Sequence, residues 1–338
     1  MSSDIQHLSE PPRLGTNLDQ PNFAPFEEQG AAFGAIFMAE QATINPTSLS
    51  KEAFHRFRQN RLALASLVIL IFLIMAAILA NVLPLQSPTT HAMGADFVVD
   101  GPPSGSHWMG TDGNGFDEFS RLIYGMRPAF AVGIIGQLIT TILGVFFGVV
   151  AGFYGGWIDS LISRVTDLIF AFPSFLLAFL VVSLFGAQFS LTMGGGGIVI
   201  LITIVFALVG WPALMRFVRS LTLTFKEQQF VEAARTVGTP NWKIITKHIL
   251  PNTWGLVMVQ STFGVGAYIG TEAVLSLLGL GVQKPNADLG VMVAEGINNL
   301  SLNAVEAIAP SILLTIIIVA FAFLGDGLRD AIDPRSNE

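Results

Sequence analysis

Six long apolar runs constrain this chain more than any other feature of its sequence. Each has about 20 residues, the length that one helix needs to cross a hydrocarbon core of about 30 Å. Charged residues make up 12% of the chain, about half of the roughly 25% that is typical of soluble domains. The sequence therefore predicts an all-α membrane protein with six transmembrane helices. The predicted spans are about 62–83, 129–151, 165–186, 197–217, 253–280 and 306–325.

The basic residues indicate the orientation of these spans, because cytoplasmic loops are enriched in Lys and Arg. With a cytoplasmic N-terminus, 14 of the 17 basic residues fall inside, and only Arg121, Arg127 and Lys284 fall outside. Both termini are therefore expected in the cytoplasm, together with the polar segment between the fourth and fifth spans. The inside residues are Arg13, Lys51, Arg56, Arg58, Arg61, Arg164, Arg216, Arg219, Lys226, Arg235, Lys243, Lys247, Arg329 and Arg335.

The remaining segments are assigned around the spans. Residues 1–50 are polar and are expected to form a mostly disordered cytoplasmic tail of unassigned role, with a short interfacial helix over 31–40 as an alternative for that part. No apolar signal-peptide core precedes the first span, which is expected to act as its own insertion signal. The other predicted parts are a basic juxtamembrane segment with the first span (51–83), an extracytoplasmic loop (84–128), a core domain of five spans (129–325) and a cytoplasmic C-terminus (326–338).

The segment 230–251, FVEAARTVGTPNWKIITKHILP, is polar and amphipathic, unlike the apolar runs around it. In its first half Phe230, Ala234 and Val237 fall at i, i+4 and i+7, which places them on one helix face. Gly238 suits the left-handed position that follows many helices. The pattern predicts a short helix that ends at Gly238.

A second short helix is predicted to follow, with Thr239 as its N-cap and Pro240 as its first residue. Pro251 is expected to mark the turn into the fifth span. One face of this helix is apolar and another is basic, with Trp242, Ile245 and Ile249 on the first and Lys243 and Lys247 on the second. Such a hairpin either lies on the lipid surface or docks in a groove of a soluble partner. Its small, Ala-rich face favours the groove.

The hairpin resembles the EAA loop of ABC-importer permeases, whose pattern is EAA, three residues, G, nine residues and I-x-L-P. The matching positions are Glu232, Ala233, Ala234, Gly238, Leu250 and Pro251. His248 stands where the pattern has Ile, and the ending HILPN (248–252) is similar to that of the peptide and nickel importers. Five further stretches agree with the same subfamily, namely HWMGTD (107–112), FSRLIYGMR (119–127), FYGGWIDSLISRVTDLIFAFPS (153–174), EAVLSLLGLGVQ (272–283) and LGDGLRDAIDPR (324–335).

The resemblance covers about residues 51–335 and is to the second, C-type, permease of dipeptide and oligopeptide importers. It implies the ABC type I permease bundle as the fold, with residues 228–251 as the cytoplasmic EAA loop that couples to an ATPase. The implied coupling residues are Glu232, Ala233, Ala234, Gly238, His248, Leu250 and Pro251. The chain departs from the family at Phe116, where an Arg is usual, and at 288–290, where a Trp-Gly pair is usual.

The resemblance also implies the partners. These are a second, B-type permease, two ATP-binding subunits that carry ATP and Mg²⁺, an extracytoplasmic solute-binding protein and the lipid bilayer of a prokaryotic cell membrane. It implies no cofactor on this chain and no nucleic acid. The expected function is a permease subunit that forms half of a translocation path for peptides. Nickel chelates or another small solute are the alternative substrates.

Asp167 and Glu272 are ionisable residues that fall within the predicted spans, where charge is costly. Asp167 follows Arg164 by three residues, which predicts an ion pair between them. Glu272 has no such neighbour, and it either meets a partner on another helix or lies in the translocation path. Glycines recur every four residues at two places and predict close helix packing, with a role in lining the path as the alternative. They are Gly144, Gly148 and Gly152, then Gly266 and Gly270.

No catalytic or metal site is predicted on this chain. It has no cysteine, its five histidines lack metal-ligand spacing, and it contains no G-x-x-x-x-G-K-[ST] phosphate loop. The run Gly194–Gly197 is instead predicted to be a turn between spans, and Gly325 is predicted to end the last helix. Uphill import would therefore need a separate motor. A secondary transporter or channel would need clustered ionisable residues or inverted repeats, and an intramembrane enzyme would need paired catalytic residues; neither pattern is found.

Overall fold

The computed structural model describes residues 46–87 and 98–332, with side chains from residue 53 onward. The chain divides into two units, Met1–Glu52 and Ala53–Glu338, and the membrane helices lie in the second. The predicted interfacial helix over 31–40 and most of the predicted tail lie outside the described residues. The helices in chain order are α1 (Pro46–Gln59), α2 (Arg61–Leu79), α3 (Glu118–Phe130), α4 (Gly136–Tyr154), α5 (Gly156–Phe170), α6 (Ser174–Met193), α7 (Gly195–Lys226), α8 (Gln229–Thr236), α9 (Asn241–Ile244), α10 (Leu250–Leu275), α11 (Leu289–Asn298) and α12 (Ala304–Ile332).

Within the described residues, two short π-helical segments join helices end to end into longer rods, and a third extends a helix. Ala131–Ile135 joins α3 to α4, Ile245–Ile249 joins α9 to α10, and Ser276–Leu280 extends α10. The predicted all-α fold with six spans is confirmed within the described residues. The spans are Arg61–Leu79, Glu118–Tyr154, Ser174–Met193, Gly195–Lys226, Asn241–Leu280 and Ala304–Ile332.

The surface of the bundle is apolar where lipid or another membrane subunit would cover it. On α2 the exposed side chains include Val68, Phe72 and Ile78, at 60%, 70% and 64% exposure. The opposite face of α2 enters a core cluster through Leu70 and Ala77, which pack against residues of α3 and α12. The first span is therefore attached to the bundle along one side only.

The third span begins later than predicted. The prediction placed it at 165–186, whereas residues up to Phe170 belong to the separate helix α5 and the span is Ser174–Met193. The break has a local cause, because Pro173 lacks an N–H and disfavours helical geometry in the residue before it. Pro173 takes an extended ψ of 120° and precedes the first residue of α6.

The second span begins earlier than predicted, and the predicted loop 84–128 is correspondingly too long. Helix α3 starts at Glu118 because the Asp117 side chain caps it, accepting a hydrogen bond of 2.8 Å from the amide of Ser120. Pro128 lies inside this helix, and the π segment Ala131–Ile135 follows directly. Proline donates no backbone hydrogen bond, and its ring crowds the preceding turn. The wider π turn after Pro128 keeps the backbone helical, so the rod continues into α4.

The glycine spacing in the second span marks a tight crossing, as predicted. A Cβ on Gly148 would lie 2.7 Å from the carbonyl oxygen of Met215, and one on Gly152 would lie 2.9 Å from that of Arg219. Gly144 similarly faces Leu214, so all three glycines lie against α7. Close packing is therefore their role, and it brings the two helices together along several turns. The second set, Gly266 and Gly270, faces α12 through Ile318 and Phe321.

Two predictions about glycine at helix ends are wrong. Of the run Gly194–Gly197, only Gly194 lies in the turn, with a φ of +66°, while the other three begin α7. Gly325 does not end the last helix, which continues to Ile332. A Cβ on Gly325 would lie 3.0 Å from the ring of Phe263, so this glycine allows a close approach to α10. Tertiary packing, not helix termination, requires glycine there.

Candidate coupling surface

The polar segment between the fourth and fifth spans folds as the predicted hairpin, here residues 229–249. Gly238 has a φ of +76°, a conformation that glycine adopts without strain. The amide of Gly238 donates to the carbonyl of Arg235 at 2.9 Å, and that of Thr239 donates to Ala234 at 3.0 Å. This pair of bonds is the Schellman motif, which satisfies carbonyls at the end of a helix. The position predicted for Gly238 is therefore confirmed.

The start of the second helix differs from the prediction by one residue. Pro240 is the N-cap, with a ψ of 147°, and Asn241 is the first helical residue; Thr239 was predicted as the cap. The Schellman bond uses the amide of Thr239 to close the first helix, so the chain turns one residue later than a Thr-Pro start would suggest.

The buried face of the hairpin is not the face that helical periodicity predicts. Val231 and Ala234 of α8 are buried against Phe153, at the end of the second span. Ile244 and Ile249 complete this cluster and are fully buried. These four buried side chains of the hairpin therefore pack around the ring of Phe153, and the two short helices close on it.

The predicted apolar faces instead contribute to the exposed surface. Phe230, Val237 and Trp242 are 40%, 80% and 60% exposed. Periodicity had grouped Phe230, Ala234 and Val237, of which only Ala234 is buried. It had also grouped Trp242, Ile245 and Ile249, of which Ile249 is buried and Ile245 is half-buried. A periodic pattern identifies a face, and the neighbouring helices decide which part of it they cover.

The residues implied for coupling fall into three environments. Glu232, Ala233, Gly238 and Pro251 are exposed, His248 and Leu250 are half-buried, and Ala234 is buried. The His248 ring lies 6.2 Å from the ring of Phe230, across the two helices. Basic side chains border the same surface: Lys243 lies 5.5 Å from the Trp242 ring, and Arg235 lies 5.8 Å from Phe153. The hairpin thus presents an apolar and basic surface on a well-anchored base.

The hairpin is continuous with the fifth span, and the predicted turn at Pro251 is absent. Asn241 to Leu280 forms one rod of 40 residues, which is helical up to Gly279, where φ is 85° and the helical geometry ends. Pro251 lies in the first turn of α10, directly after the π segment Ile245–Ile249. The wider π turn leaves room for a proline ring, which would clash with the preceding turn of a regular helix. The hairpin is therefore joined to a membrane helix without a break in the helical backbone.

Two ion pairs fasten α5 to α7 on the hairpin side of the bundle. Asp159 binds Arg219 through two hydrogen bonds of 2.5 and 2.6 Å. Asp167 pairs with Arg216, so the predicted pair with Arg164 is wrong. The spacing of three residues would allow a pair between Arg164 and Asp167 within α5. The Arg216 guanidinium of α7 binds the Asp167 carboxylate instead, so the ion pair joins two helices.

The Asp159–Arg219 pair gives a testable pH dependence. Hydrogen bonds from Arg219 hold the pKa of Asp159 below its ordinary value of 3.8. A depressed pKa adds stability above the ordinary value, and this stability is lost as the pH falls through the folded-state pKa. We expect Asp159→Asn to cost about 0.5–1 kcal/mol near neutral pH, because the pair is partly exposed, and to cost less as the pH falls through the lowered pKa of Asp159.

Thermal unfolding in detergent at several pH values measures this difference. Asp167→Asn is the matched control, since its pair with Arg216 is more exposed, at 65% and 50%, and should contribute less. An equal loss of stability from Asp159→Asn at acid and neutral pH would contradict the assignment.

Glu272 lies in a buried polar network at the opposite end of the fifth span. The Ser276 hydroxyl lies 2.9 Å from Glu272 Oε1 and 3.1 Å from Asp288 Oδ2. Asp288 also accepts hydrogen bonds from the amides of Val282, Gly290 and Val291, and so caps α11. Burial raises the pKa of Asp288 above its ordinary value, against the effect of these amides. The sequence pattern that signals this role is an Asp immediately before a helix.

One of the two alternatives for Glu272 was a structural partner on another element, and this network supplies it. Tyr268 and Thr271, which are close to Glu272 in the chain, line a cavity of about 280 Å³ between α6, α7 and α10, but Glu272 does not. A second cavity, of about 500 Å³, lies between α3, the start of α7 and the segment after the fifth span, again without Glu272 in its lining. A role for Glu272 in the translocation path stays a prediction.

Comparison with known proteins places this architecture in a family. Residues 144–338 match the family described as the binding-protein-dependent transport system inner membrane component. Residues 48–99 match the N-terminal TM domain of oligopeptide transport permease C. The two matches together include five of the six spans in full and the end of the second span, Glu118–Tyr154.

Relatives of known role cover nearly the whole chain. The dipeptide transport system permease protein of Bacillus subtilis is 38% identical over 85% of this chain and 86% of its own length. The oligopeptide transport system permease protein of the same organism is 36% identical, over 88% and 93%. The glutathione transport system permease protein of Pectobacterium atrosepticum is also 36% identical, over 84% and 91%. The chain therefore belongs to the family of inner membrane permease components of binding-protein-dependent transport systems.

Proposed function

We propose that this chain forms half of the translocation path of an ATP-driven peptide importer and attaches to a separate ATP-binding subunit through residues 230–250. The observation that carries the proposal is the exposed surface of the hairpin. Val237 and Trp242 are more than half exposed, while the base of the same hairpin is fully buried around Phe153. Exposed aromatic and apolar residues on a rigid base are typical of a protein interface.

The energy for import would come from separate ATP-binding subunits. The sequence has no phosphate loop to bind ATP, so ATP and Mg²⁺ would be held by two ATP-binding subunits. When these subunits dimerise on ATP, they would move the hairpin. The rod from Asn241 to Leu280 would then carry the movement into the bilayer and switch the path between inward- and outward-facing states.

The hairpin must face the cytoplasm for this mechanism. The distribution of basic residues supports that orientation, with 14 of 17 on the hairpin side of the spans when the N-terminus is inside. We place both termini on the same side, in a prokaryotic cell membrane. The remaining proposed partners are a second permease of the B type, which would form the other half of the path, and an extracytoplasmic solute-binding protein.

The proposed substrate class comes from the relatives. Those compared above are named for dipeptides, oligopeptides and glutathione, all of which are molecules with amide-linked amino acids. Peptides are therefore the best-supported substrates of this chain. Import of nickel chelates or another small solute by the same architecture is the alternative.

Reconstitution tests the proposal directly. The chain is incorporated into proteoliposomes with its partner permease, its ATP-binding subunits and its binding protein, and uptake of a dipeptide, an oligopeptide, a nickel chelate and a disaccharide is measured. We expect peptide uptake that requires both ATP and the binding protein. Uptake by this chain alone, driven by an ion gradient, would instead support a secondary transporter. Uptake of the nickel chelate or the disaccharide without peptide uptake would overturn the substrate class.

A further inference from the structure

Three buried carboxylates meet at the end of the bundle opposite the hairpin. Asp112, Glu118 and Glu306 each bring one carboxylate oxygen to within 4.8 Å of the other two. All three residues are at most 1% exposed. Asp112 lies in the loop before α3, Glu118 is the first residue of α3, and Glu306 is in the first turn of α12. The cluster therefore joins a loop to the starts of two membrane-spanning helices.

Hydrogen bonds satisfy this cluster only in part. Asp112 is well supplied, with the ammonium of Lys284 at 2.9 Å from Oδ2 and two amides of its own loop on Oδ1. Glu306 Oε2 accepts one hydrogen bond of 3.1 Å from the Asn299 side chain. Glu118 Oε2 is buried and has no hydrogen-bond donor. A buried carboxylate oxygen without a donor is costly, and it indicates a missing ligand of positive charge.

The charge balance around the cluster also indicates a missing cation. Four carboxylates act on one another here, those of the cluster and Glu295, against the two cationic side chains of Lys284 and Arg121. With all four carboxylates ionised, as a bound cation would hold them, the formal excess is two negative charges. Arg121 does not satisfy Glu118 by a hydrogen bond, because its Nε and Nη1 have no acceptor and its Nη2 lies 3.4 Å from the carbonyl oxygen of Asn286. One divalent cation would balance the excess.

We propose that Asp112, Glu118 and Glu306 bind a hard divalent cation, and that Ca²⁺ is the ion that fits best. The donors are all carboxylate oxygens, which suits Ca²⁺ and Mg²⁺ and not metals that prefer nitrogen or sulfur. Oxygens up to 4.8 Å apart can lie on opposite sides of one Ca²⁺, which takes ligands at about 2.4 Å and tolerates irregular geometry. Mg²⁺ demands shorter and more regular contacts.

One further carboxylate, that of Asp100, lies at the edge of the site. Asp100 Oδ1 is also buried without a donor. A Cβ on Gly113 would lie 3.5 Å from this oxygen and 2.9 Å from the Asn299 amide that binds Glu306. Bound Ca²⁺ would tie the loop that contains Asp112 to α3 and α12. The site goes beyond the proposed transport function and needs no ATP-binding subunit.

The first test uses the full-length wild-type chain in detergent after treatment with EDTA. Isothermal titration calorimetry with CaCl₂, MgCl₂ and MnCl₂ measures binding, and thermal unfolding measures its effect on stability. We expect one Ca²⁺ per chain with a dissociation constant on the order of 0.1–1 mM or tighter, and a higher unfolding temperature with Ca²⁺. If none of the three ions binds, the proposal is overturned.

Two substitutions assign the site. Loss of a residue that only supports the ligands of a metal site weakens metal binding about 10- to 100-fold. Because Glu118→Gln and Glu306→Gln each change a ligand, we expect each to weaken Ca²⁺ binding at least that much. Without Ca²⁺, these variants should unfold at the same temperature as the wild type or higher, because a repelling charge has been removed. Glu227→Gln, at the exposed hairpin end of α7, is the control and should bind Ca²⁺ like the wild type. Wild-type affinity in both site variants, or an equal loss in the control, would overturn the assignment.

Discussion

Replacing Trp242 with alanine is expected to detach the ATP-binding subunits from this chain while the membrane bundle stays folded. The indole is 60% exposed, so its removal costs the isolated chain little stability. In the assembly it would be a central aromatic anchor, and truncation of such a residue costs about 2 kcal/mol or more, roughly a 30-fold loss of affinity. Co-purification with the ATP-binding subunits and substrate-stimulated ATP hydrolysis measure the effect.

The same substitution at the other end of the molecule is the control. Trp108 is 68% exposed and packs against Phe119, at the beginning of the second span. Trp108→Ala removes the same side chain on the face opposite the hairpin and should leave the attachment intact.

Ala233→Asp adds a further test, because Ala233 is exposed and a charge there would be buried by docking. Retention of the ATP-binding subunits by both hairpin variants, with transport unchanged, would contradict docking at this surface.

Gly148→Ala is expected to destabilise the bundle, since it disrupts the crossing of α4 and α7. The new Cβ would lie 2.7 Å from both the Met215 carbonyl oxygen and the Val218 Cβ. Backbone cannot move aside as a flexible side chain can, so the helices must separate. Overpacking of this kind costs about 1–3 kcal/mol. Unfolding of the detergent-solubilised chain, by heat or by a denaturing detergent, measures the loss.

Gly196→Ala is the matched control for this prediction. Gly196 is also helical, in the first turn of α7, but no atom lies within 4 Å of its Cβ position. Alanine has the higher helix propensity, so this variant should be as stable as the wild type or slightly more stable. If the two substitutions had equal effects, the close approach at Gly148 would not be the cause.

The continuous rod from Asn241 to Leu280 joins the two ends of the molecule. At about 1.5 Å per residue, its 40 residues reach about 60 Å, more than the thickness of a hydrocarbon core. One end belongs to the exposed hairpin, and the other includes Ser276, whose hydroxyl lies within hydrogen-bond distance of Glu272 and of the Asp288 cap of α11. Movement at the hairpin would therefore reach the opposite face through one element.

Sequence reasoning succeeded where a residue's role depends on its immediate neighbours. The six spans follow from hydrophobic runs, and Gly238 at the end of α8 follows from the conformational freedom of glycine. It failed where two local rules competed. Thr239 and Pro240 suggested a helix start that the Schellman bonds displaced by one residue, and Pro251 suggested a turn that a π segment avoids.

Spacing along the chain did not predict the partners of charged side chains. Asp167 pairs with Arg216 and not with Arg164, because α7 packs beside α5 and supplies a second guanidinium. The carboxylates of Asp112, Glu118 and Glu306 gave no signal, since Glu306 is almost 200 positions away from the other two along the chain. Histidine and cysteine spacing could not reveal a site made of oxygen ligands from three separate elements.

By itself the sequence determined the class of this protein, its six membrane-spanning helices and the polar hairpin between the fourth and fifth of them. These depend on whether each segment partitions into lipid or water, and composition over about 20 residues decides that. Only the tertiary structure decided which hairpin face is exposed, which carboxylates meet and which ion pairs form. Those depend on the distances between helices, and packing at a few glycines such as Gly148 sets these distances.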